Sequence, residues 1–376
     1  MDNFSLSKFM YETVACGATN QLPVSSVCNA RCLFCSNKMN PFKIHRVGFR
    51  PLEDVKKGIA LLSPQPVPEI RIGDSLPGRI SEGEALLHPD IFEILRLVRE
   101  KNQTSVIQVS TNGTMLTRKF IEKLKPFQPL KVTISYHSNT PRNWRRIFNL
   151  KEDKYKTASD SFFLLLKEGF LIEVVIVPLP KLVGYPDIED TLKYLRPFTK
   201  DVIIFPPGYS AKAPPSLRKI LDSDYSEMSR FFTKMRKKYL MNLCLMTDPL
   251  KPLNFDPRAL MLETYKARFS HVLWLFSEAA YGHAKKILGD HDPYVPNEHS
   301  AFMVKNHTYG GNIICAGLLM IQDYRKAIRA ALKKSKKEKI ALLILPKISF
   351  DRFGDDLLGE NYSRLSSEFG VPVWVR

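Results

Sequence analysis

The chain has 376 residues, enough for one large α/β domain and a smaller second one. Hydrophobic residues make up 44% and charged residues 25%, which excludes a disordered chain and is ordinary for a protein with a buried core. No apolar run reaches the roughly 18 residues of a membrane-spanning helix. With 56 basic and 38 acidic residues, the formal net charge is +18, which favours a polyanionic partner such as RNA, an acidic protein or anionic lipid.

The first residues and the cysteine content indicate the compartment. Residues 1–21 lack the basic start and the apolar stretch of a signal peptide. Six cysteines, unevenly spaced over so long a chain, are unlike a disulfide framework. We therefore expect a cytoplasmic protein without a transmembrane segment.

From about Leu22 to Pro207, short apolar runs alternate with segments of helical spacing. The predicted strands are LPVSSV, EIRIG, SVIQVST, LKVTISY, FLIEVVIV and DVIIFP. The predicted helices are LEDVKKGIALL, HPDIFEILRLVREK with Pro89 in its first turn, MLTRKFIEKLK, ASDSFFLLLKEG and IEDTLKYLRPF. This alternation favours a parallel sheet in an open or partial (β/α) barrel, whose chemistry takes place at the carboxyl ends of the strands.

After Pro207 the alternation stops. The proline-rich stretch PPGYSAKAPPSLRK is predicted to be irregular, and a helix is predicted from about Ser223 to Tyr239. The segment that begins at Met246 is typical of a linker, and a second α/β unit follows it. We therefore predict three parts: an N-terminal extension (1–21), a core barrel (22–245) and a C-terminal accessory domain (246–376).

Three of the six cysteines lie within eight residues, in VCNARCLFCS directly after the first predicted strand: Cys28, Cys32 and Cys35. A four-thiolate zinc site needs a second cysteine pair, which the isolated Cys244 and Cys315 do not supply. A redox C-x-x-C would not need Cys28. Three thiolates on one tight loop suit a [4Fe-4S] cluster, in which three irons are held and the fourth stays open to a ligand. A zinc site completed by His45 is the alternative.

This C-x3-C-x2-C motif, with an aromatic residue before its last cysteine, resembles that of the radical S-adenosylmethionine (radical SAM) superfamily. The resemblance implies that the three cysteines ligate a [4Fe-4S] cluster and that Phe34 lies beside the adenine of S-adenosylmethionine (SAM). In that family SAM chelates the open iron, and one electron from the reduced cluster breaks its C5′–S bond. The resulting 5′-deoxyadenosyl radical takes a hydrogen atom from the substrate, while the protein supplies geometry and a dry cavity.

A second motif of the family follows the second predicted strand, in SEGEALLHPDI. Gly83 and Glu84 match the family's G-G-E-P loop, whereas Glu82 and Ala85 depart from it. The resemblance implies that a backbone carbonyl near Gly83 and the Glu84 carboxylate accept hydrogen bonds from the SAM ammonium group. Without the preceding cysteines, Glu84 would be interpreted as a solvated loop acid.

Polar residues also end the third and fourth predicted strands, in VSTNGTML and ISYHSNTP. The first segment resembles the family's T-N-G, where Gly113 permits the turn into the next helix. The resemblance implies contacts with the SAM ribose or carboxylate for three residues: Ser110, Thr111 and Asn112. Ser135 and His137 are candidates for contacts with SAM or substrate, with His137 the candidate catalytic residue. A histidine there is equally consistent with a capping or core residue.

From Leu22 onward, nearly the whole chain resembles one radical SAM subgroup, which has a C-terminal domain of unknown function and often a PDZ-like domain before the barrel. The matching segments are SYHSNTPRNWRRIFN, VVIVPLPKLVGYPDIEDTLKYL, VIIFPPGYSAKA, FSHVLWLFSEAAYGHAKKIL, NIICAGLLMIQDYRKAI and IALLILPKISFDRFGDDLLGENYSRLSSEFGVPVWV. We expect no PDZ-like domain before the barrel, because too few residues precede Leu22. Cys244 and Cys315 are predicted to be buried, inert thiols.

Together these features predict an α/β protein with a partial (β/α)6-type radical SAM barrel and a smaller C-terminal α/β domain. The expected enzyme cleaves SAM reductively and modifies a macromolecular substrate, RNA, protein or lipid, by hydrogen abstraction. The resemblance also implies an external electron donor of the ferredoxin or flavodoxin type. A radical SAM methyltransferase is the alternative within the family. From other classes, a non-enzymatic RNA-binding protein with a structural metal and a zinc-dependent hydrolase stay open.

Overall fold

The computed structural model describes residues 20–41, 48–63, 67–73, 82–150, 153–245, 257–289, 298–334, 340–351 and 353–376. The chain divides into two units, Met1–Met246 and Thr247–Arg376. The predicted N-terminal extension and most of the predicted linker lie outside the described residues. The domain boundaries derived from the sequence stay a prediction.

In the described part of the first unit, seven parallel strands form one sheet in the order in which they occur along the chain. They are β1 (Gln21–Leu22), β2 (Glu69–Ile72), β3 (Val106–Thr111), β4 (Leu130–Ser135), β5 (Leu171–Ile176), β6 (Asp201–Ile204) and β7 (Asn242–Leu245). In the pairing register Ile72 lies beside Val109, and Thr111 beside Ile134. Because all strands run the same way, their carboxyl ends lie along one edge of the sheet.

Helices alternate with these strands, as the sequence predicts. They are α1 (Leu52–Leu61), α2 (Ile91–Lys101), α3 (Arg118–Leu124), α4 (Pro141–Phe148), α5 (Tyr155–Lys167), α6 (Pro180–Leu195), α7 (Pro215–Leu221) and α8 (Tyr225–Tyr239). The buried face of α2 has helical spacing: Ile91, Ile94, Leu95 and Val98. These side chains belong to one core with strand residues such as Ile107, and each stabilises the fold by about 1.5–3 kcal/mol on full burial.

The predicted fold class, an α/β protein with an open parallel sheet consistent with a partial barrel, is confirmed. The first strand is shorter than predicted, because Pro23 has no amide to donate to a ladder. The chain there continues only as an isolated bridge between Ser25 and Phe49. Pro89 was wrongly placed in a helix, since α2 begins at Ile91.

Three elements of the first unit were missed by the sequence prediction: α4, α7 and β7. Part of the proline-rich stretch is helical, because Pro215 occupies the first position of α7, where a missing amide removes no helical hydrogen bond. The four residues of β7 are too few for a periodic pattern to reveal a strand. Short 3-10 turns complete the described elements: Ser36–Lys38, Ala85–Leu87, Lys125–Phe127, Ala316–Leu318 and Lys347–Ser349.

The described part of the second unit holds four parallel strands in the order β11-β10-β8-β9. These are β8 (His271–Ser277), β9 (Glu298–Val304), β10 (Leu342–Leu345) and β11 (Val373–Val375). Its helices are α9 (Pro257–Lys266), α10 (Glu278–Gly289), α11 (Ile321–Lys334) and α12 (Ser363–Phe369). All seven residues of β8 are buried, and alternate ones belong to two different apolar clusters, as expected of a central parallel strand covered on both faces. Among the described helices, none combines the length and the apolar character that a membrane crossing requires.

Candidate active site

The loop after β1 carries Cys28, Cys32 and Cys35 at the carboxyl edge of the sheet. All three are free thiols; Cys28 is exposed and the other two are half-buried. The amide of Cys35 donates to the carbonyl of Cys32 at 3.2 Å, which makes this part of the loop a tight turn. Burial, followed by the charges of Cys35 and Cys28, raises the pKa of Cys32 to about 12. Metal binding here must therefore displace protons.

The three thiolates of this loop fit a [4Fe-4S] cluster. Within the described residues, no three His, Cys, Asp or Glu side chains converge as ligands of one metal ion. A [4Fe-4S] cluster needs no such convergence, because each thiolate binds a different iron and the sulfurs stand apart. His45, which would complete the alternative zinc site, lies outside the described residues.

The carboxyl end of α4 holds one side of the cysteine loop. The last carbonyls of a helix have no partner within it. Here Phe148 O accepts from Arg31 N at 2.9 Å, and Ile147 O accepts from Leu33 N at 3.0 Å. The ammonium group of Lys38 donates to two further carbonyls of the loop, at 2.7 and 3.1 Å. The backbone between the first and last cysteine is therefore fixed by hydrogen bonds.

The loop after β2 lies along the residues that precede Cys28. Gly83 N donates to Ser25 O at 2.7 Å, and Glu84 N donates to Val27 O at 2.8 Å. A Cβ atom on Gly83 would lie 2.1 Å from the Val27 carbonyl oxygen. Glycine is therefore required here for close approach of two backbone segments.

Glu84 joins this loop to the end of β3. Its carboxylate is only 2% exposed and accepts hydrogen bonds from Thr111 Oγ1 at 2.6 Å, Asn112 N at 2.7 Å and Leu86 N at 3.3 Å. Burial raises the pKa of Glu84 to about 7, and the hydrogen bonds act against that rise. A carboxylate offers about four acceptor positions, so about one stays open to a ligand.

A closed ring of hydrogen bonds joins the end of β3 to the cysteine loop. Asn112 Nδ2 donates to Asn29 Oδ1 at 2.8 Å, and Asn29 Nδ2 donates to Thr114 Oγ1 at 2.9 Å. Thr114 Oγ1 closes the ring by donating to Asn112 Oδ1 at 2.6 Å. The sequence prediction missed Asn29 and Thr114, although each directly follows a recognised motif position, Cys28 and Gly113.

Phe34 and His137 contact each other edge to face, with ring centroids 4.7 Å apart. Val177 N donates to Nδ1 of His137 at 3.0 Å, so the proton of the neutral ring is on Nε2. In the part of the chain that the structure describes, this buried Nε2 has no partner. Burial lowers the pKa of His137 to about 3, which keeps the ring neutral. His137 can therefore donate a hydrogen bond from Nε2 to a ligand, and it cannot act as a general base near neutral pH.

The structure brings several predicted site residues together in two groups: Glu84 with Thr111 and Asn112, and Phe34 with His137. Ser135 ends β4, Ser110 lies one residue before the end of the neighbouring strand β3, and both are half-buried. Gly113 has φ 78°, as the predicted turn requires. The predicted contacts of all these residues with SAM stay predictions.

The two remaining described cysteines lie away from this loop in sequence. Cys244 is in β7, and Cys315 precedes the turn Ala316–Leu318 of the second unit. Both were predicted to be buried, and both are half-buried. Burial nevertheless raises the pKa of Cys315, and the inertness of both thiols stays a prediction.

Residues 22–195 match the family model described as the Radical SAM superfamily. The chain therefore contains a radical SAM domain, as the cysteine motif predicts. The cofactors of that family, a [4Fe-4S] cluster and SAM, are the ones predicted from the sequence. The match ends before the second unit, so the assignment of a C-terminal domain of unknown function stays a prediction.

Parts of the chain are similar to curated proteins and to solved structures. The GTP 3′,8-cyclase of Klebsiella pneumoniae is 25% identical over 178 residues, 47% of this chain and 51% of that protein. The FeMo cofactor biosynthesis protein NifB of Methanocaldococcus jannaschii is 27% identical over 163 residues, 39% of this chain and 52% of that protein. The chain thus spans about half the length of these curated relatives. SuiB of Streptococcus suis bound to S-adenosylmethionine gives a TM-score of 0.46 at 13% identity, covering 65% of this chain and 55% of that one.

Proposed function

We propose that the protein is a radical SAM enzyme that cleaves SAM reductively at a [4Fe-4S] cluster and modifies its substrate by hydrogen abstraction. One observation carries this proposal: the cysteine loop and the Gly83–Glu84 loop are paired backbone to backbone, with Glu84 N donating to Val27 O at 2.8 Å. The two elements that the family uses for the cluster and for the SAM ammonium group are therefore neighbours. The cluster, when bound, supplies the electron for SAM cleavage.

The residues of the site take the following roles in this proposal. The three cysteines hold three irons and leave one coordination site for SAM. The open acceptor position of Glu84 receives the SAM ammonium group, which favours the ionised carboxylate. His137 donates its Nε2 hydrogen to an acceptor on SAM or on the substrate, beside Phe34. Electrons come from an external donor of the ferredoxin or flavodoxin type.

We further propose an anionic substrate. Three arginines are exposed on the cysteine loop and on the helix that binds it: Arg31 in the loop, and Arg142 and Arg146 on α4. Arg145 of the same helix pairs with Asp153 at 2.9 Å, whereas the structure records no ion pair of these three among the described residues. RNA is the macromolecule that fits this charge best. A GTP 3′,8-cyclase by its name acts on a nucleotide, so a small phosphorylated substrate is the second candidate.

The test is anaerobic assembly of the cluster with iron and sulfide, followed by SAM and dithionite. We expect 5′-deoxyadenosine and methionine in equal amounts by mass spectrometry, with none from the Cys32→Ala variant. RNA and GTP are added separately, and the true substrate class should increase the yield. A fully assembled, reduced cluster that leaves SAM intact with either addition would overturn the proposal.

The same experiment separates this proposal from its rival, an RNA-binding protein with a structural metal. That rival requires RNA affinity that falls steeply with salt concentration, together with intact SAM under every condition. A radical SAM methyltransferase would instead give methylated product and S-adenosylhomocysteine.

A further inference from the structure

We propose that Asp187, far from the cysteine loop in sequence, positions that loop through the helix α4. The carboxylate of Asp187 binds the amino end of α4, and the cysteine loop binds the carboxyl end of the same helix. Asp187 is therefore a positioning residue, which acts on the reaction through another element. The inference rests on the proposed function, since it concerns the cluster that the cysteine loop would hold.

The cysteine loop depends on the place of the carboxyl end of α4. There Phe148 O accepts from Arg31 N at 2.9 Å, and Ile147 O accepts from Leu33 N at 3.0 Å. These two amides flank Cys32, so a shift of the helix is passed directly to that cysteine. Because α4 has only eight residues, its two ends are about 12 Å apart and move together.

The amino end of α4 is bound to α6. Thr140 Oγ1 and Asn143 Nδ2 both donate to Oδ1 of Asp187, at 2.5 and 2.8 Å. One turn further along α6, Thr191 Oγ1 accepts from Asn139 N at 2.9 Å and donates to Asp187 O at 2.7 Å. Directional bonds to one neighbouring helix therefore fix the start of α4.

Two features of this contact are unfavourable for stability. Asp187 is only 8% exposed, and its buried Oδ2 has no partner among the residues that the structure describes. Burying a carboxylate oxygen without a partner costs free energy. Thr140 is the N-cap of α4, yet its side chain makes no capping bond and donates to Asp187 instead. The arrangement therefore gives up stability while it fixes the position of the helix.

Apolar packing alone would not fix that position. The buried face of α4 consists of Trp144, Ile147 and Phe148. Hydrophobic contacts are non-directional, so they hold the helix against the core without setting its place along its own axis. The bonds to Asp187 set that place. A reacting group misplaced by about 1 Å can lower a rate by about a hundredfold, so the position of the cysteine loop matters for the reaction.

The matched variants are Asp187→Leu and Asp187→Asn. Leucine is similar in size but accepts no hydrogen bond, so both side-chain bonds to α4 are lost. Asparagine keeps one oxygen as the acceptor of both bonds. Thr199→Val is the control for a purely structural loss, because the Thr199 hydroxyl bonds to Ile172 O and Asp201 N at the amino edge of the sheet, opposite the site.

After anaerobic cluster assembly, each protein receives SAM and dithionite, and the rate of 5′-deoxyadenosine formation is divided by the cluster content. We expect this rate to fall roughly tenfold to a hundredfold in Asp187→Leu, the effect of a misplaced reacting group. The electron paramagnetic resonance spectrum of its reduced cluster with SAM should also differ from that of the wild type. Asp187→Asn should match the wild type. Thr199→Val should unfold at lower urea concentration and keep the wild-type rate per cluster.

A folded Asp187→Leu with the wild-type rate and spectrum would overturn the inference and leave the proposed function standing. So would equal losses in Asp187→Leu and Asp187→Asn, because the charge and not the contacts would then be responsible. A folded Asp187→Leu without a cluster, beside a fully assembled Asp187→Asn, would support the inference. A wild type that leaves SAM intact despite a full, reduced cluster would overturn the proposed function itself.

If Asp187→Leu fails to fold, Thr140→Val takes its place. Thr140 is exposed, and valine keeps its shape while removing one of the two bonds to Asp187. A smaller loss of rate per cluster in the same direction is expected. An unchanged rate in this variant would overturn the inference.

Discussion

Glu84 combines full burial with three hydrogen-bond donors, and these two influences act in opposite directions on its charge. Burial raises its pKa to about 7, while Thr111, Asn112 and Leu86 donate to the ionised form. An ammonium group at the remaining acceptor position would favour the charged carboxylate. A cationic ligand such as the SAM ammonium group would therefore stabilise the ionised carboxylate of Glu84.

Glu84→Gln should weaken SAM binding about tenfold or more and leave the cluster in place, because the variant loses a charged hydrogen bond of about 1.5–3 kcal/mol. Anaerobic equilibrium dialysis with labelled SAM measures the affinity, and iron content checks the cluster. The matched control is Glu93→Gln, a change on the exposed side of α2. Unchanged SAM affinity in Glu84→Gln would show that this loop does not bind the ammonium group.

The raised pKa of Glu84 also predicts how SAM binding depends on pH. If the ionised form binds, the dissociation constant should be about tenfold higher at pH 6 than at pH 8, and flat in Glu84→Gln. In the protein without SAM, the stability of the fold depends on pH in the opposite direction. Because folding raises this pKa from 4.5 to about 7, the stability that the protonated group contributes is lost as pH rises between these values. An equal SAM affinity at pH 6 and pH 8 would contradict this assignment.

Sequence patterns predicted some of these residues and missed others for a physical reason. Glu84 and Asn112 stand at recognisable motif positions after strands. Asn29 and Thr114 are 85 positions apart, and each by itself is an ordinary loop residue. Only the fold brings them within 2.9 Å, so their ring had no signal in a single sequence.

At the scale of elements, the site lies where two loops pair backbone to backbone and the end of a helix binds one of them. The loop after β2 pairs with the residues before Cys28, and the last carbonyls of α4 accept from Arg31 and Leu33. The long strands and helices were predictable because their apolar periodicity is strong. The four-residue β7 and the short helices α4 and α7 were not, and β1 is shorter than predicted, because short elements depend on their tertiary neighbours.

Gly83→Ala should disturb the pairing of these two loops. The new Cβ would lie 2.1 Å from the Val27 carbonyl oxygen, so the two backbones must separate. We expect a loss of about 1–3 kcal/mol in the free energy of unfolding and lower iron retention. Urea denaturation measures the first, and colorimetric iron determination the second. Gly282→Ala, in open space on α10, is the matched control and should be neutral or slightly stabilising. Wild-type stability and iron content in Gly83→Ala would contradict the close approach.

At the scale of the whole molecule, each unit has its own parallel sheet and its own apolar core. We therefore predict that residues 1–246 and 247–376 fold separately when expressed alone. Each fragment should unfold cooperatively in thermal denaturation followed by circular dichroism, and only the first should assemble an iron–sulfur cluster. The full chain is the control. A fragment 247–376 without a cooperative transition would contradict the division into domains.

The most direct test of the central claim is the iron and sulfide content per chain after anaerobic assembly, compared between single cysteine variants. The wild type should hold about four irons and four sulfides, with an absorbance near roughly 400 nm. Cys28→Ala, Cys32→Ala and Cys35→Ala should each lose most of both, whereas Cys244→Ala should keep the wild-type content. If Cys32→Ala retained the full cluster, or if the wild type held zinc and no sulfide, the three cysteines would not form a radical SAM cluster site.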